Sequence, residues 1–347
     1  MKIYVVGVNY KTTPVEIREK FSMGPDEYEK MLSGIKKSEG ISECAILSTC
    51  NRTEIHVFSE ASRLDVANIE KNFCLLKGLD LHRMKKYFYI YEGINAIRHI
   101  MKVAAGMDSM ILGEDQILGQ FRKAYEISMK YGTSRAILNT LSRLAVTSSK
   151  KIKTRGIEIK KASSVAGQVG QLLEALYKQE LNGKKVLIIG SGEIGKAVRE
   201  VLFETGCSNI LMTKRSAADT DGRAQNDNIF MTVDYNDRYS YIHQSDVIIG
   251  ATLSPHYTVT LDMLEETMKD KEKPYLFIDL AVPRDFDQAM EQLDNVKLYN
   301  IDQLKNANPS GADKEKPFDL EYINEQINCH IREFMRWYNK RNNFAKV

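Results

Sequence analysis

Cys50 stands in a setting that suggests chemistry. It lies in Ser48-Thr49-Cys50-Asn51-Arg52-Thr53-Glu54, between the runs Ala45-Ile46-Leu47 and Ile55-His56-Val57-Phe58. Two apolar-rich runs around a short polar stretch read as strand, tight turn, strand, with the cysteine at the tip. Asn51 tolerates turn geometry, and Arg52 is a permanent cation two residues from the sulfur. A nearby cation favours the thiolate, which is the nucleophilic form. The competing reading is a buried small hydrophobe, the state of most free cysteines.

A second signal lies further on. Lys184-Lys185-Val186-Leu187-Ile188-Ile189 reads as a buried strand and runs into Gly190-Ser191-Gly192-Glu193-Ile194-Gly195, then a helix from Lys196 to Phe203. This is a Gly-x-Gly-x-x-Gly loop in its dinucleotide-binding context. Gly190 allows the sharp turn, Gly192 lets backbone approach a pyrophosphate, and Gly195 lets helix and strand pack closely. The helix start then offers its unpaired N–H groups to the phosphates. About 20 residues on, where an NAD site usually has an acidic residue, the chain carries Lys214, Arg215 and Ser216. Two cations and a hydroxyl suit a 2′-phosphate, so the expected cofactor is NADPH. The competing reading of these three is a solvated strand end.

A thiolate and an NADPH site together define a reaction class. The thiolate attacks an activated carboxyl carbon and forms a thioester; hydride reduces that carbon, and the thiohemiacetal collapses to an aldehyde. A free carboxylate is too electron-rich to accept hydride, so the thioester is the reducible form. His99, in Ala96-Ile97-Arg98-His99-Ile100-Met101, is a packed helix histidine or a proton-transfer group. Gly106 to Gln120 interrupts an apolar segment with glycines and polar residues. Ser109, Glu114, Gln116 and Gln120 there line a pocket or cap a helix, and Glu114 is of the type that holds an amino group. Lys150 to Arg155 with Lys160-Lys161 is the densest basic stretch. It is a solvated charge run or a phosphate contact.

The positioning elements follow from pattern. Lys2 to Val8, the two arms of the Cys50 hairpin and Phe88 to Tyr91 read as strands. Helices alternate with them, which predicts a small α/β domain with Cys50 at one sheet end. Further strands at Ser208–Met212, Asp246–Thr252, Tyr275–Leu280 and Val296–Tyr299 predict a βα-repeating domain. Ala307 to Pro317 reads as a linker. Phe318 to Phe344 reads as one amphipathic helix with Tyr322, Ile323, Ile327, Ile331, Phe334 and Trp337 on a stripe. Length and composition agree: 347 residues, 43% hydrophobic and a net charge of +3 suit a globular protein of two or three domains. The charge is too small to announce a nucleic-acid binder. Five scattered cysteines without a Cys-x-x-Cys pair argue against zinc or a disulfide framework and for a reducing, cytoplasmic setting, and no metal is expected. No apolar run approaches the ~20 residues of a membrane span.

These segments resemble those of the glutamyl-tRNA reductase family. Gly7 to Arg18 (GVNYKTTPVEIR), Ser48 to Glu54 (STCNRTE), Gly106 to Gln120 (GMDSMILGEDQILGQ), Gly190 to Gly195 (GSGEIG) and Ile278 to Asp285 (IDLAVPRD) run in family order. The resemblance implies NADPH-dependent reduction of glutamyl-tRNA to glutamate-1-semialdehyde, the first step of this route to tetrapyrroles. It implies Cys50 as nucleophile, Thr49, Asn51 and Arg52 around the glutamate with Arg52 facing its γ-carboxylate, and Ser109, Glu114, Asp115, Gln116 and Gln120 in the substrate pocket. It implies a role in activity for His99. Partners implied are glutamyl-tRNA and, further, glutamate-1-semialdehyde aminotransferase.

The expected class is α/β: an N-terminal α/β catalytic domain (1–148), a hinge (149–165), a Rossmann-type NADPH-binding domain (166–306) and a C-terminal helix (307–347). Two departures stand out. The family commonly has Arg-Thr-Glu-Thr in the hinge, where this chain reads Lys-Thr-Arg-Gly-Ile-Glu. Family members usually continue past a Phe-x-x-Trp motif into a dimerising bundle, whereas this chain ends ten residues after Phe334-Met335-Arg336-Trp337. A weak homodimer or a monomer is expected, the dimer because the apolar stripe would otherwise lie exposed. Two alternatives remain at this level: a thioester-forming NADPH reductase of another acyl donor, and a non-catalytic regulatory paralogue that binds glutamyl-tRNA.

Overall fold

The computed structural model describes residues 2–61, 64–109, 115–154, 164–215, 230–268, 273–307 and 320–344. The chain forms two compact units, Met1–Ile159 with Glu315–Val347, and Lys160–Lys314.

In the first unit, strands β1 (Ile3–Asn9), β2 (Glu43–Thr49), β3 (Arg52–Phe58) and β4 (Tyr89–Glu92) form an antiparallel sheet in the order β2-β3-β1-β4. Alternation along β1 sends Tyr4, Val6 and Val8 to one face, where Phe21, Leu32, Ile35 and Phe73 cover them. Ile3 and Val5 go to the other face, against the helices Ile94–Ala104, Asp115–Lys130 and Ala136–Thr154. Both faces are therefore dry. The helix Leu320–Phe344 adds Ile323, Ile327, Ile331 and Phe334 to that second core. Most of the stripe thus finds its cover inside the unit, with Tyr322 and Trp337 half-buried at its edge, so little remains of the exposure that prompted the expectation of a dimer.

Cys50 and Asn51 alone connect β2 to β3, with Thr49 paired to Arg52. Gly7 of β1 lies between Glu54 of β3 and Tyr89 of β4. A Cβ on Gly7 would stand 2.5 Å from the Thr53 carbonyl oxygen and 2.9 Å from Glu54 Cα.

The second unit carries six parallel strands, β5 (Lys185–Ile189), β6 (Asn209–Lys214), β7 (Phe230–Asp234), β8 (Val247–Gly250), β9 (Tyr275–Asp279) and β10 (Val296–Asn300). Their order is β10-β9-β8-β5-β6-β7. Counted within the unit, this is the doubly wound 3-2-1-4-5-6 arrangement, whose order reverses between its first and fourth strands, β5 and β8. Ligands of such sheets bind at the carboxyl ends of the strands at that point. The fold is α/β, with a Rossmann-type unit and a long C-terminal helix.

Candidate active site

The two-residue turn holds its backbone from several sides. Asn51 N–H donates to Thr49 Oγ1 at 3.2 Å, and Tyr10 N–H donates to the Asn51 carbonyl at 2.9 Å. Arg18, itself buried, donates from Nε to the Cys50 carbonyl at 2.9 Å and from Nη1 to the Thr13 carbonyl at 3.0 Å. Cys50 is half-buried at the tip, a reduced cysteine. Asn51 Oδ1 is buried and has no hydrogen-bond partner among the described residues.

Arg52, Glu54 and His56 project from alternate positions of β3 to the same face as Phe58. That face is covered by helices, so all three are buried. A charged stripe survives there because its members satisfy one another. Arg52 Nη1 donates to Glu54 Oε1 at 2.6 Å and to Asp108 Oδ2 at 3.1 Å, and Nη2 donates to the Asp108 carbonyl. Glu54 Oε1 also accepts from Tyr89 Oη and from His99 Nε2 at 2.8 Å, and Oε2 accepts from His56 Nε2 at 2.9 Å. Burial alone would raise the Glu54 carboxyl. The charges of His99 and Arg52 and the bonds from both histidines outweigh burial and hold it well below the usual carboxylate range. Asp108 is likewise lowered: burial opposes, but Arg52 and Lys11 prevail, and Lys11 Nζ is bonded to it.

His99 is buried on the helix Ile94–Ala104 and stacks on Tyr91, with ring centroids 4.4 Å apart. Its Nδ1 lies 3.9 Å from Asp108 Oδ2, too far for a hydrogen bond. The structure therefore places Arg52 and His99 on one carboxylate, Glu54, immediately past the Cys50 turn. Ser109 is buried, and its carbonyl accepts from Tyr10 Oη at 3.1 Å. Gln116 and Gln120 are half-buried on the helix Asp115–Lys130, which Asp115 begins. Glu114 lies outside the described residues, as do Ser216 and most of the hinge departure. Glu54, His56, Tyr89, Asp108 and Lys11 carry no role in the sequence reading. The signal for the first two was the even-numbered spacing 52, 54, 56.

In the second unit, Gly190 has φ +118°, and a Cβ there would stand 2.5 Å from the Ala251 carbonyl oxygen. A Cβ on Gly195 would meet the Gly190 carbonyl oxygen at 2.1 Å, so these two glycines seat the helix Glu193–Glu204 against β5 and β8. A Cβ on Gly192 would meet nothing within 4 Å. That open space belongs to a cavity of about 270 Å³ bounded by Gly190–Gly192, Arg215, Tyr235 and Ala251–Ser254. Ser191 lines it, Glu193 and Ile194 open the helix beyond it, and Lys214 ends β6 beside it. The Arg215 guanidinium lies 4.9 Å from the Tyr235 ring centroid. A glycine turn, a helix start and an arginine over an aromatic ring fit a dinucleotide.

Asp285 braces the β8 side of the cavity. It accepts from Thr252 N–H at 2.8 Å and from Thr252 Oγ1, and it fills the space Gly250 leaves open. Burial pushes its carboxyl up to about 6. Asp279 accepts from Ala281 N–H at 3.0 Å and Phe286 N–H at 2.9 Å. Burial, aided by the Asp285 charge, pushes Asp279 up to about 8.

Comparison with known proteins agrees with both units. Residues 6–156 match the family "Glutamyl-tRNAGlu reductase, N-terminal domain", and residues 171–307 match "Shikimate / quinate 5-dehydrogenase", a nicotinamide-cofactor fold. The chain is 34% identical over 345 residues to the glutamyl-tRNA reductase of Acetivibrio thermocellus, covering 98% of both chains. It is 34% identical over 347 residues to that of Thermodesulfovibrio yellowstonii, covering 98% of this chain and 80% of the relative. The structure of glutamyl-tRNA reductase from Methanopyrus kandleri is similar over 97% of this chain and 80% of that one, with 26% identity and a TM-score of 0.50. With its cysteine hairpin, its parallel six-stranded unit and these near full-length likenesses, the chain belongs to the glutamyl-tRNA reductase family.

Proposed function

We propose that the protein reduces glutamyl-tRNA to glutamate-1-semialdehyde with NADPH, through a thioester on Cys50. The observation that carries this reading is Cys50 itself, accessible at a turn whose backbone is fixed from both sides. The sulfur attacks the ester carbon that joins glutamate to the tRNA, a carbon–sulfur bond forms, and the bond to the tRNA 3′-oxygen breaks. His99, whose Nε2 donates to the Glu54 carboxylate, takes the Cys50 thiol proton at its other ring nitrogen and passes it to that leaving oxygen. The buried, unpartnered Asn51 Oδ1 is an acceptor for the substrate ammonium group. Arg52 keeps one donor, Nε, unpaired among the described residues for the γ-carboxylate; the family resemblance assigns Thr49, Ser109, Glu114, Asp115, Gln116 and Gln120 to the same substrate pocket.

Gly190–Gly195, Lys214, Arg215 and Ser216 would hold NADPH, which supplies hydride to the acyl carbon. Collapse of the resulting thiohemiacetal breaks the carbon–sulfur bond, releases the aldehyde and restores the thiolate. An α-amino aldehyde is reactive, which favours direct transfer to an aminotransferase. The test is single-turnover reduction of charged tRNA with NADPH and NADH in parallel, with acid quench and mass spectrometry of the protein. Semialdehyde formation and a glutamyl adduct on Cys50 are expected. Turnover of an acyl phosphate or acyl-CoA in place of charged tRNA, or an adduct elsewhere, would overturn the reading.

A further inference from the structure

Glu54 is bonded unevenly. Oε1 takes Arg52, Tyr89 and His99, whereas Oε2 takes His56. A carboxylate turns easily about its last torsion, and a turn that carried Oε1 away from its three donors would carry Oε2 with it. His56 braces the group against that turn from the Oε2 side. Its Nε2 is 2.9 Å from Oε2, and its Nδ1 is 2.8 Å from Tyr125 Oη. Burial, together with the charges of Glu54 and Glu43, holds the Tyr125 phenol far above its ordinary value, so the phenol keeps its proton. The Glu54 carboxylate can only accept, so it takes the proton on His56 Nε2, which in the neutral imidazole leaves Nδ1 to accept from the Tyr125 O–H. The imidazole packs on Phe121 and Tyr125, with ring centroids 6.5 and 5.8 Å away. With both ring nitrogens taken by Glu54 and Tyr125, His56 has no polar atom left for substrate.

We propose that His56, backed by Tyr125, is a positioning residue for the reaction: through Glu54 it keeps the His99 proton on Nε2 and turns His99 Nδ1 toward the reacting group. The inference rests on the role given to His99 above and extends it to a choice between two ring nitrogens. His99 Nε2 is occupied by the carboxylate at 2.8 Å. Nδ1, without a hydrogen bond to Asp108 at 3.9 Å, is the nitrogen left for proton exchange. Tyr91 stacked on the ring keeps it from rotating. A carboxylate that twisted away would release Nε2 and let the two tautomers mix.

The test compares His56→Leu, which removes the donor to Glu54, with His56→Gln, whose amide restores one near the Nε2 position. Ring ¹⁵N spectra are recorded on histidine-labelled full-length protein, whose six histidines are few enough to assign by substitution. The neutral parent should show His99 as a single Nε2–H tautomer, and the Leu variant a mixture of both. With charged tRNA, the Leu variant should lose about tenfold or more in kcat, with KM for tRNA and NADPH within about twofold. The Gln variant should recover both the single tautomer and most of kcat. A folded Leu variant with an unchanged His99 spectrum, or equal losses in Leu and Gln variants, would overturn the proposal. Should the Leu variant fail to fold, Tyr125→Phe gives the same spectral readout with His56 in place. The ¹⁵N arm needs no turnover, so a parent inactive on charged tRNA would sink the functional reading and still leave this inference judged on its own spectrum.

Discussion

Tyr89 hydrogen-bonds Glu54 from two strands away, and the bond passes over Gly7, whose missing side chain leaves the row open. A methyl group at position 7 would press on the Thr53 carbonyl and on Glu54 Cα, both backbone atoms in a central strand. Gly7→Ala is expected to cost about 2 kcal/mol or more, with a larger loss for Gly7→Val. Urea denaturation checks it, and a variant within 0.5 kcal/mol of the parent (about the noise for harmless substitutions) would contradict the crowding described.

Cys50→Ser should abolish semialdehyde formation and the trapped adduct while leaving nucleotide affinity intact. Serine keeps the size of the side chain, so the turn is undisturbed. Its hydroxyl lacks the low pKa and leaving ability that the thioester route requires. Fluorescence titration with NADPH alongside turnover separates the two outcomes.

Arg215 and Tyr235 flank the nucleotide cavity, and Arg215→Ala should raise KM for NADPH about tenfold or more, the cost of a lost charge-assisted bond. KM for NADH should change little. Equal effects on both nucleotides would remove Arg215 from 2′-phosphate recognition.

The two units should respond oppositely to pH. Glu54 titrates below its unfolded value, so the stability it contributes is present above about pH 4 and disappears as pH falls through its folded value. Asp279 titrates at about 8 when folded, so its contribution is greatest below its unfolded value and disappears as pH rises toward 8. The parent should lose stability between pH 5 and 8 with a slope of at most about 1.4 kcal/mol per pH unit from this group. Asp279→Asn should flatten that slope whatever its constant offset. An unchanged slope in the variant would show that Asp279 is ionised in the fold.

Phe334 is buried among the helices Ile94–Ala104 and Ala136–Thr154, and Phe334→Ala should destabilise by about 3–4 kcal/mol. Trp337→Ala, half-exposed at the edge of the same cluster, should cost less. Thermal melts rank them.

Local signals carried the reading of the sequence furthest. The Cys50 hairpin and the glycine loop were legible because strand alternation, a two-residue turn and a strand–glycine–helix sequence are all set by neighbours in the chain. The partners of Glu54 were not, because beyond its own strand β3 they come from β4 and the helix Ile94–Ala104. An alternating Arg-x-Glu-x-His reads as a solvated strand face until the helices that cover it are known. The same limit applied to the C-terminal helix. Its apolar stripe was plain, but only the groove formed by two other helices decided what would cover it.

The turn at Cys50 has no spare length. Because side chains alternate along a strand, one extra residue between Thr49 and Arg52 that slipped the β1–β3 pairing by one would turn the whole of β3 over, sending Ile55 and Val57 toward His99 and Arg52, Glu54 and His56 into the apolar core opposite. Reactivity at the sulfur and burial of the charged stripe are therefore a single geometric decision, and a one-codon insertion there is expected to act as a loss of both at once.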